Sequence, residues 1–404
     1  MEQRHGDTAF LDGLRGIAAF AVVLSHLIFW FYPEGHIGTR APSPSATALR
    51  LFDSPFSFFC KGGYAVAVFF VLSGFVLTRA CLRKNNNIYT AQAALKRYVR
   101  LGGPVFATVL ICAVMRALGL FPANEMGIKT FLSGAYGTPP DWIEALRAAT
   151  YGAMLYGDRS YDYVLWTISI EFYGSLLVFA CFALFGFNQK LLRGVTAALA
   201  VLFAIQMGNA TYYFLFFAGS FFATMDWHHP RHNIVRTLLA PAALLLGLYL
   251  GGYAPGSTSY SIIGHTANDL QKQEILTLNW PILFYGVGAV LLIYAVLATR
   301  WTHKFLASPP LRWLGGISFS LYLLHSLILT ASAPLVIKYM GFNLGAFLVA
   351  LVVTSTLTFI ASHGFWKMVD IPFTRLADRF GKMLCQGAGS LRNPNGDQQL
   401  ATSR

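Results

Sequence analysis

The chain has 404 residues, of which 55% are hydrophobic and only 12% charged, and its formal net charge is +13. An average soluble domain is about 25% charged, and no water-soluble fold of this size hides so much apolar surface, so a soluble enzyme, a disordered chain and a disulfide scaffold are excluded. In so apolar a chain the positive balance points to basic cytoplasmic loops of a membrane protein and not to nucleic acid.

The polar stretch 1–9 reads as a cytoplasmic N-terminus. The apolar run after it is too long for a signal peptide and lacks a small-residue cleavage site. A spanning helix needs about 20 apolar residues. By that measure the sequence predicts an all-α membrane protein of about ten transmembrane helices, at roughly 10–32, 63–82, 101–121, 164–186, 191–208, 211–225, 237–254, 281–299, 313–337 and 343–366. Only Asn209 and Ala210 separate the fifth from the sixth. The transmembrane domain is expected over 10–375 and a cytoplasmic, disordered tail over 376–404. With ten spans both termini share a side, and about 20 of the 30 basic residues fall on it, among them Arg79, Arg83, Lys84, Lys96, Arg97 and Arg100. The bias places both termini in the cytoplasm. The five cysteines are isolated, with no CxxC and no histidine at metal-ligand spacing, so no metal site is expected.

A charge in hydrocarbon costs at least ~2.5–3.5 kcal/mol, which makes every intramembrane ionisable group a functional hypothesis. The first span carries Asp12, Arg15 and His26. Arg15 and His26 are 11 residues apart, which puts them on one helix face about 16 Å apart along the axis. Asp12 is one turn before Arg15 and within pairing reach. In the second span Ser73-Gly74 permits close helix approach or binding by exposed backbone. Arg97 and Arg100, i and i+3 at the start of the third span, can hold a phosphate bidentately or anchor the helix at the cytoplasmic face.

The fourth span opens with Trp166-Thr-Ile-Ser-Ile-Glu171-Phe-Tyr173. Glu171 then lies about 10 Å below the outer surface, near the depth of His26. A His26–Glu171 pair would make a general base; otherwise Glu171 takes hydrogen bonds from Trp or Tyr donors nearby. Ser318, Tyr322 and His325, spaced by 4 and 3, form a polar stripe expected to face the bundle interior. The cluster His228-His229-Pro-Arg-His232 reads as a cytoplasmic loop, and His363 and Arg116 have no nameable partner.

These residues resemble the acyltransferase-3 family of integral-membrane O-acyltransferases, which modify polysaccharides, lipopolysaccharides and nodulation factors. The resemblance rests on Phe10-Leu-Asp12-Gly-Leu-Arg15-Gly-Ile-Ala-Ala19 continuing to His26, on Phe69-Phe-Val-Leu-Ser73-Gly74-Phe75, on Arg97-x-x-Arg100, on Trp166 to Tyr173, and on Ile317 to His325, in that order. Three features depart from the family pattern. Lys96 replaces an arginine, Pro104 comes late, and the fourth-span motif keeps one acidic residue, Glu171.

The resemblance implies no permanently bound cofactor and acyl-CoA, most often acetyl-CoA, as co-substrate. Its phosphates would meet Arg97 and Arg100, with Arg15 deeper and Ser73 and Gly74 beside them. The thioester would reach His26, which with Glu171 would act as general base on an acceptor hydroxyl or carry the acyl group transiently. Asp12, Trp166, Tyr173, Ser318, Tyr322 and His325 would support the site on its acceptor side. The implied acceptor is an exported carbohydrate or glycolipid, in a cell membrane, a bacterial inner membrane first. The sequence shows no soluble esterase-like domain of the kind some members append, so transfer is direct or uses a partner acyl-acceptor protein. The rival reading is a secondary transporter with the buried Arg, His and Glu as a proton relay, although no repeated halves or matched broken spans are seen.

Overall fold

The computed structural model describes residues 9–41, 45–128, 132, 134, 136–227, 230–272 and 278–391, with side chains left undescribed at 230–233 and 385–391. Among the described residues all regular structure is helical. In chain order the helices are α1 (Ala9–Phe31), α2 (Glu34–Ile37), α3 (Ala46–Phe52), α4 (Gly62–Lys84), α5 (Asn87–Ala117), α6 (Trp142–Arg147) and α7 (Trp166–Phe185). There follow α8 (Gln189–Ala204), α9 (Tyr213–Ala223), α10 (Pro230–Gly251), α11 (Ser261–Lys272), α12 (Trp280–Ala298), α13 (Arg300–Leu306), α14 (Pro309–Gly316), α15 (Ser318–Met340), α16 (Leu344–Phe365) and α17 (Ile371–Leu391). A π-helical stretch, Ala148–Tyr156, continues α6, and a π-helical turn, Trp366–Asp370, joins α16 to α17.

All ten expected spans are helical, and eight of the helices are long and apolar enough to cross a membrane. The other two are α8 and α9, of 16 and 11 residues. At 1.5 Å per residue they reach about 24 and 16 Å, short of a ~30 Å hydrocarbon core. Their far ends are tied together: Arg193 Nη2 and Gln189 Nε2, at the start of α8, both donate to Thr224 O just past α9, at 2.5 and 3.0 Å. Because α8 and α9 are consecutive, counting both or neither as spans leaves the alternation of the later ones unchanged.

The glycines of the recognised motifs set how closely helices approach. A Cβ on Gly16 would stand 2.7 Å from Gly315 N, and one on Gly13 would stand 1.9 Å from Leu306 O. So α1 lies directly against α13 and α14, the close backbone packing that small residues permit in membranes. Gly74 and Gly219 do the same at the α4–α9 crossing, against Phe216 O and Val71 O at 1.9 and 2.0 Å. Overpacking costs ~1–3 kcal/mol, so Gly16→Val should lower the melting temperature in detergent. An unchanged melting curve would show that α1 and α14 are not held this closely.

Helix α5, at 31 residues, is about 46 Å long and outreaches a bilayer core. Helix α17 packs along it, with Phe373 over Gly103 and Lys96 Nζ 2.7 Å from Asp378 Oδ1. The segment assigned to the tail from 376 thus begins as helix, while 392–404 lie outside the described residues. The His228-His229 cluster lies outside the described side chains as well. Cys60, Cys81, Cys112 and Cys181 are buried free thiols.

Candidate active site between two cavities

Two cavities with ionisable side chains in their walls lie toward opposite ends of α1. The first, about 270 Å³, is lined by Arg15, Ser73, Arg97, Arg100, Glu171, Ser318, Tyr322 and Asp370 among others. The second, about 300 Å³, is lined by His26, His36, Lys61, Tyr163, Trp166, Tyr285 and Tyr322 among others. Val66 and Tyr322 belong to both walls, so the cavities adjoin across these two side chains. A third, open hollow contains Asp12, Arg15, Arg312 and Trp313 and shares Arg15, Gly315 and Gly316 with the first. The 11-residue spacing of Arg15 and His26 is realised: one helix face serves both cavities.

His26 does not pair with Glu171. Its partner is His325, with Nδ1 of His26 2.9 Å from Nε2 of His325 and the rings nearly parallel at 9°. The hydrogens follow from the carbonyls. His325 Nδ1 lies 2.7 Å from Tyr322 O, and a carbonyl only accepts, so His325 Nδ1 carries the hydrogen and donates it. In neutral His325, Nε2 is then the acceptor, and His26 Nδ1–H donates to it. That leaves Nε2 of neutral His26 unprotonated, the form a base or nucleophile needs. Tyr163 meets the His26 ring edge-on, with centroids 5.2 Å apart.

Glu171 instead sits in the arginine cavity. It accepts from Ser73 Oγ at 2.9 Å and forms an ion pair with Arg97. Arg97 Nε donates to Ser175 Oγ at 2.9 Å, so two α7 residues one turn apart clamp one α5 guanidinium. The expected depth of Glu171 does not hold: α7 begins with Trp166 already at the wall of the histidine cavity, and Glu171, more than a turn farther along, lies at the level of Arg15 in the other cavity.

Arg100 is also engaged. Its Nη1 lies 2.6 Å from Asp370 Oδ1, on the π-helical turn after α16. Asp370 escaped the sequence reading because it lies just past the last apolar run, 343–366, and so was not among the intramembrane charges; a lone carboxylate directly after a span was the available signal. Arg15 lies 3.2 Å from Asp12, the pair expected from their spacing.

The other predicted residues divide. Ser318 donates to Gly315 O at 2.8 Å and lines the arginine cavity. Tyr322 donates to Val164 O at 2.9 Å and meets Thr167 Oγ1 at 2.8 Å, which fixes its ring between the cavities. Trp166 lines the histidine cavity. The stripe Ser318, Tyr322, His325 thus faces inward. Gly74 belongs to the α4–α9 crossing and not to a cavity wall, because its missing side chain is filled by Phe216. Tyr173 is 38% exposed and lines neither cavity. Arg116, unassigned from sequence, donates to Thr138 O and Pro139 O and lies over the Tyr161 ring.

Asp162, in the loop before α7, is fully buried beside this site. Its Oδ1 accepts from Ser326 Oγ at 2.6 Å, next to His325, while Oδ2 has no partner among the described residues. Burial pushes its pKa up to about 7, against the opposing pull of the Ser326 hydrogen bond. A carboxyl raised in the fold binds a proton that the unfolded chain has released. Its stabilisation is present below the unfolded value near 4 and is lost as pH rises through about 7. Asp162→Asn should therefore flatten the fall in melting temperature between about pH 4 and 7; an unaltered pH profile would remove Asp162 as its source.

An all-helical bundle with eight membrane-length helices and a buried polar site is a polytopic membrane protein. Residues 8–363 match the acyltransferase-3 family model, described as an acyltransferase domain, and the chain belongs to that family. It is 27% identical to an O-acetyltransferase, PaAT-1, of Phomopsis amygdali, over 80% of this chain and 72% of that one. It is 25% identical to the peptidoglycan O-acetyltransferase OatA of Listeria monocytogenes over 80% of this chain, a match that spans only 50% of the Listeria protein. It is 21% identical to acyltransferase R4 of a Phoma species, over 81% of this chain and 84% of that one. No solved structure shows significant similarity.

Proposed function

We propose that the protein is a membrane O-acyltransferase that moves an acyl group, acetyl first, from cytoplasmic acyl-CoA to a hydroxyl of an exported carbohydrate on the other side. The observation that carries this reading is that the two cavities adjoin across Val66 and Tyr322, with arginines on one side and the His26–His325 pair on the other. The family membership and the O-acetyltransferase names of two relatives support the reaction class.

In this reading both termini are cytoplasmic. The CoA phosphates enter past Arg312 and Arg15 and settle against Arg97 and Arg100. The thioester points past Tyr322 toward His26. His26 Nε2 takes the proton of the acceptor hydroxyl, and the hydroxyl oxygen attacks the thioester carbonyl carbon. The C–S bond breaks, and the proton held by His26 passes to the departing CoA sulfur. The same nitrogen is equally placed to take the acyl group first and hand it on. His325 holds the required tautomer through its bond to Tyr322 O.

Each arginine of the pair faces a carboxylate, Glu171 or Asp370, and this shapes the donor site. The carboxylates hold the guanidiniums in place while CoA is absent, so the phosphates meet prearranged donors.

Sealed membrane vesicles holding the protein and labelled acetyl-CoA test the reading. Label transferred to an acceptor hydroxyl is expected. Acceptor uptake with no acylated product would favour a permease, which two cavities adjoining inside a bundle also suit.

A further inference from the structure

The histidine cavity holds a charge that the reaction above does not use. Lys61, the residue before α4, is only 4% exposed and lines the cavity beside His26 and His36. Its Nζ donates to Gly35 O at 3.1 Å and stands 5.6 Å from the centre of the Phe52 ring. Among the described residues no carboxylate lies within ion-pair distance of it. The contrast with the arginine cavity is direct, since Arg97 and Arg100 each have a carboxylate partner.

The rest of the cavity agrees in sign. No aspartate or glutamate lines it. His36 donates Nε2–H to Ser25 O at 2.9 Å, and burial first, then the neighbouring Lys61 charge, hold its pKa down at about 4. It is therefore neutral at pH 7. Helix α4, of 23 residues, starts at this wall with Gly62 and Gly63, so the positive end of its dipole faces the same space. A buried ammonium without a counter-ion is costly: burial lowers the pKa of Lys61, and an anion that arrives from outside offsets that cost and keeps the ammonium charged.

We propose that the histidine cavity binds an acceptor carrying an anionic group, a carboxylate or a phosphoryl group, a few bonds from the hydroxyl that is acylated, with Lys61 Nζ as its counter-ion. The substrate class is thus an acidic sugar or sugar phosphate. The proposal rests on the acyl-transfer reading of this cavity. It deepens that reading by assigning Lys61 to acceptor specificity.

The test uses three probes with one ring: glucose, glucuronate and glucose 6-phosphate. Their binding to purified full-length protein is measured by titration calorimetry, with the fluorescence of Trp166 in the cavity wall as a second readout. Glucuronate or glucose 6-phosphate should bind about 10- to 100-fold tighter than glucose, the range of a charged hydrogen bond. The stronger of the two identifies carboxylate or phosphoryl. Lys61→Met should erase the difference, Lys61→Arg should keep part of it, and CoA affinity should be unchanged in both.

Equal binding of all three probes, or binding of none, by the unmodified protein overturns the proposal without reference to any variant. So does an anion preference that survives Lys61→Met, because the anion then sits elsewhere, against the arginines. A variant that keeps the preference but slows transfer to every acceptor would make Lys61 a stabiliser of the reacting oxygen and would also overturn it. Failure of the acyl-transfer reading shows separately, as absent acetyl-CoA turnover in the vesicles.

Discussion

His26→Ala should abolish acyl transfer while leaving insertion, melting temperature and CoA affinity close to those of the unmodified protein. A positioned general base contributes about 10²- to 10⁴-fold, and a transient acyl carrier contributes more, because no other route to the ester remains. His325→Leu should give a smaller loss of the same kind. It removes the acceptor of the His26 Nδ1–H and so frees the ring to adopt the wrong tautomer. Single-turnover transfer from labelled acetyl-CoA, measured beside CoA binding, separates the two variants. His26→Ala that keeps its rate ends the catalytic assignment. His325→Leu that changes only CoA affinity ends the tautomer argument.

Arg97→Met is the second variant with a large expected effect, and its effect falls on folding first. It strands the Glu171 carboxylate among helices with only Ser73 Oγ to meet it. Removing one partner of a buried ion pair costs ~3–5 kcal/mol, whereas replacing both with neutral groups is often neutral or stabilising. The double variant Arg97→Met, Glu171→Gln should therefore melt well above the single one. CoA affinity should fall in both, since neither retains the guanidinium. A double variant no more stable than Arg97→Met would show that the pair carries no such load. Unchanged CoA affinity would leave Arg97 as an anchor of α5 alone. The cycle is needed because the two residues share one network and their single effects do not add.

Much of this molecule was legible in its sequence. Apolar runs locate the helices, because a bilayer accepts only segments whose backbone groups are satisfied internally and whose length matches its core. The rarity of charges inside those runs singled out Arg15, His26 and Glu171. The 3.6-residue period put Arg15 and His26 on one face and paired Asp12 with Arg15. The same period gathered Ser318, Tyr322 and His325 into one inward stripe, and all of these placements hold.

Sequence periodicity yields a height and a face on each helix taken alone. It does not say which neighbour that face meets. That choice came from packing: from Gly13 and Gly16 drawing α1 onto α13 and α14, and from Gly74 and Gly219 drawing α4 onto α9. Only with those rotations fixed does His26 meet His325 and Glu171 meet Arg97. Two helices too short to qualify as spans, and a carboxylate at Asp370 one turn past the last apolar run, lay beyond a rule that counts apolar residues. Lys61 and His36 were beyond it too. His36 lies in the one-turn helix α2 and Lys61 in the link before α4, both between apolar runs, and such a residue becomes part of a cavity only when the fold closes over it.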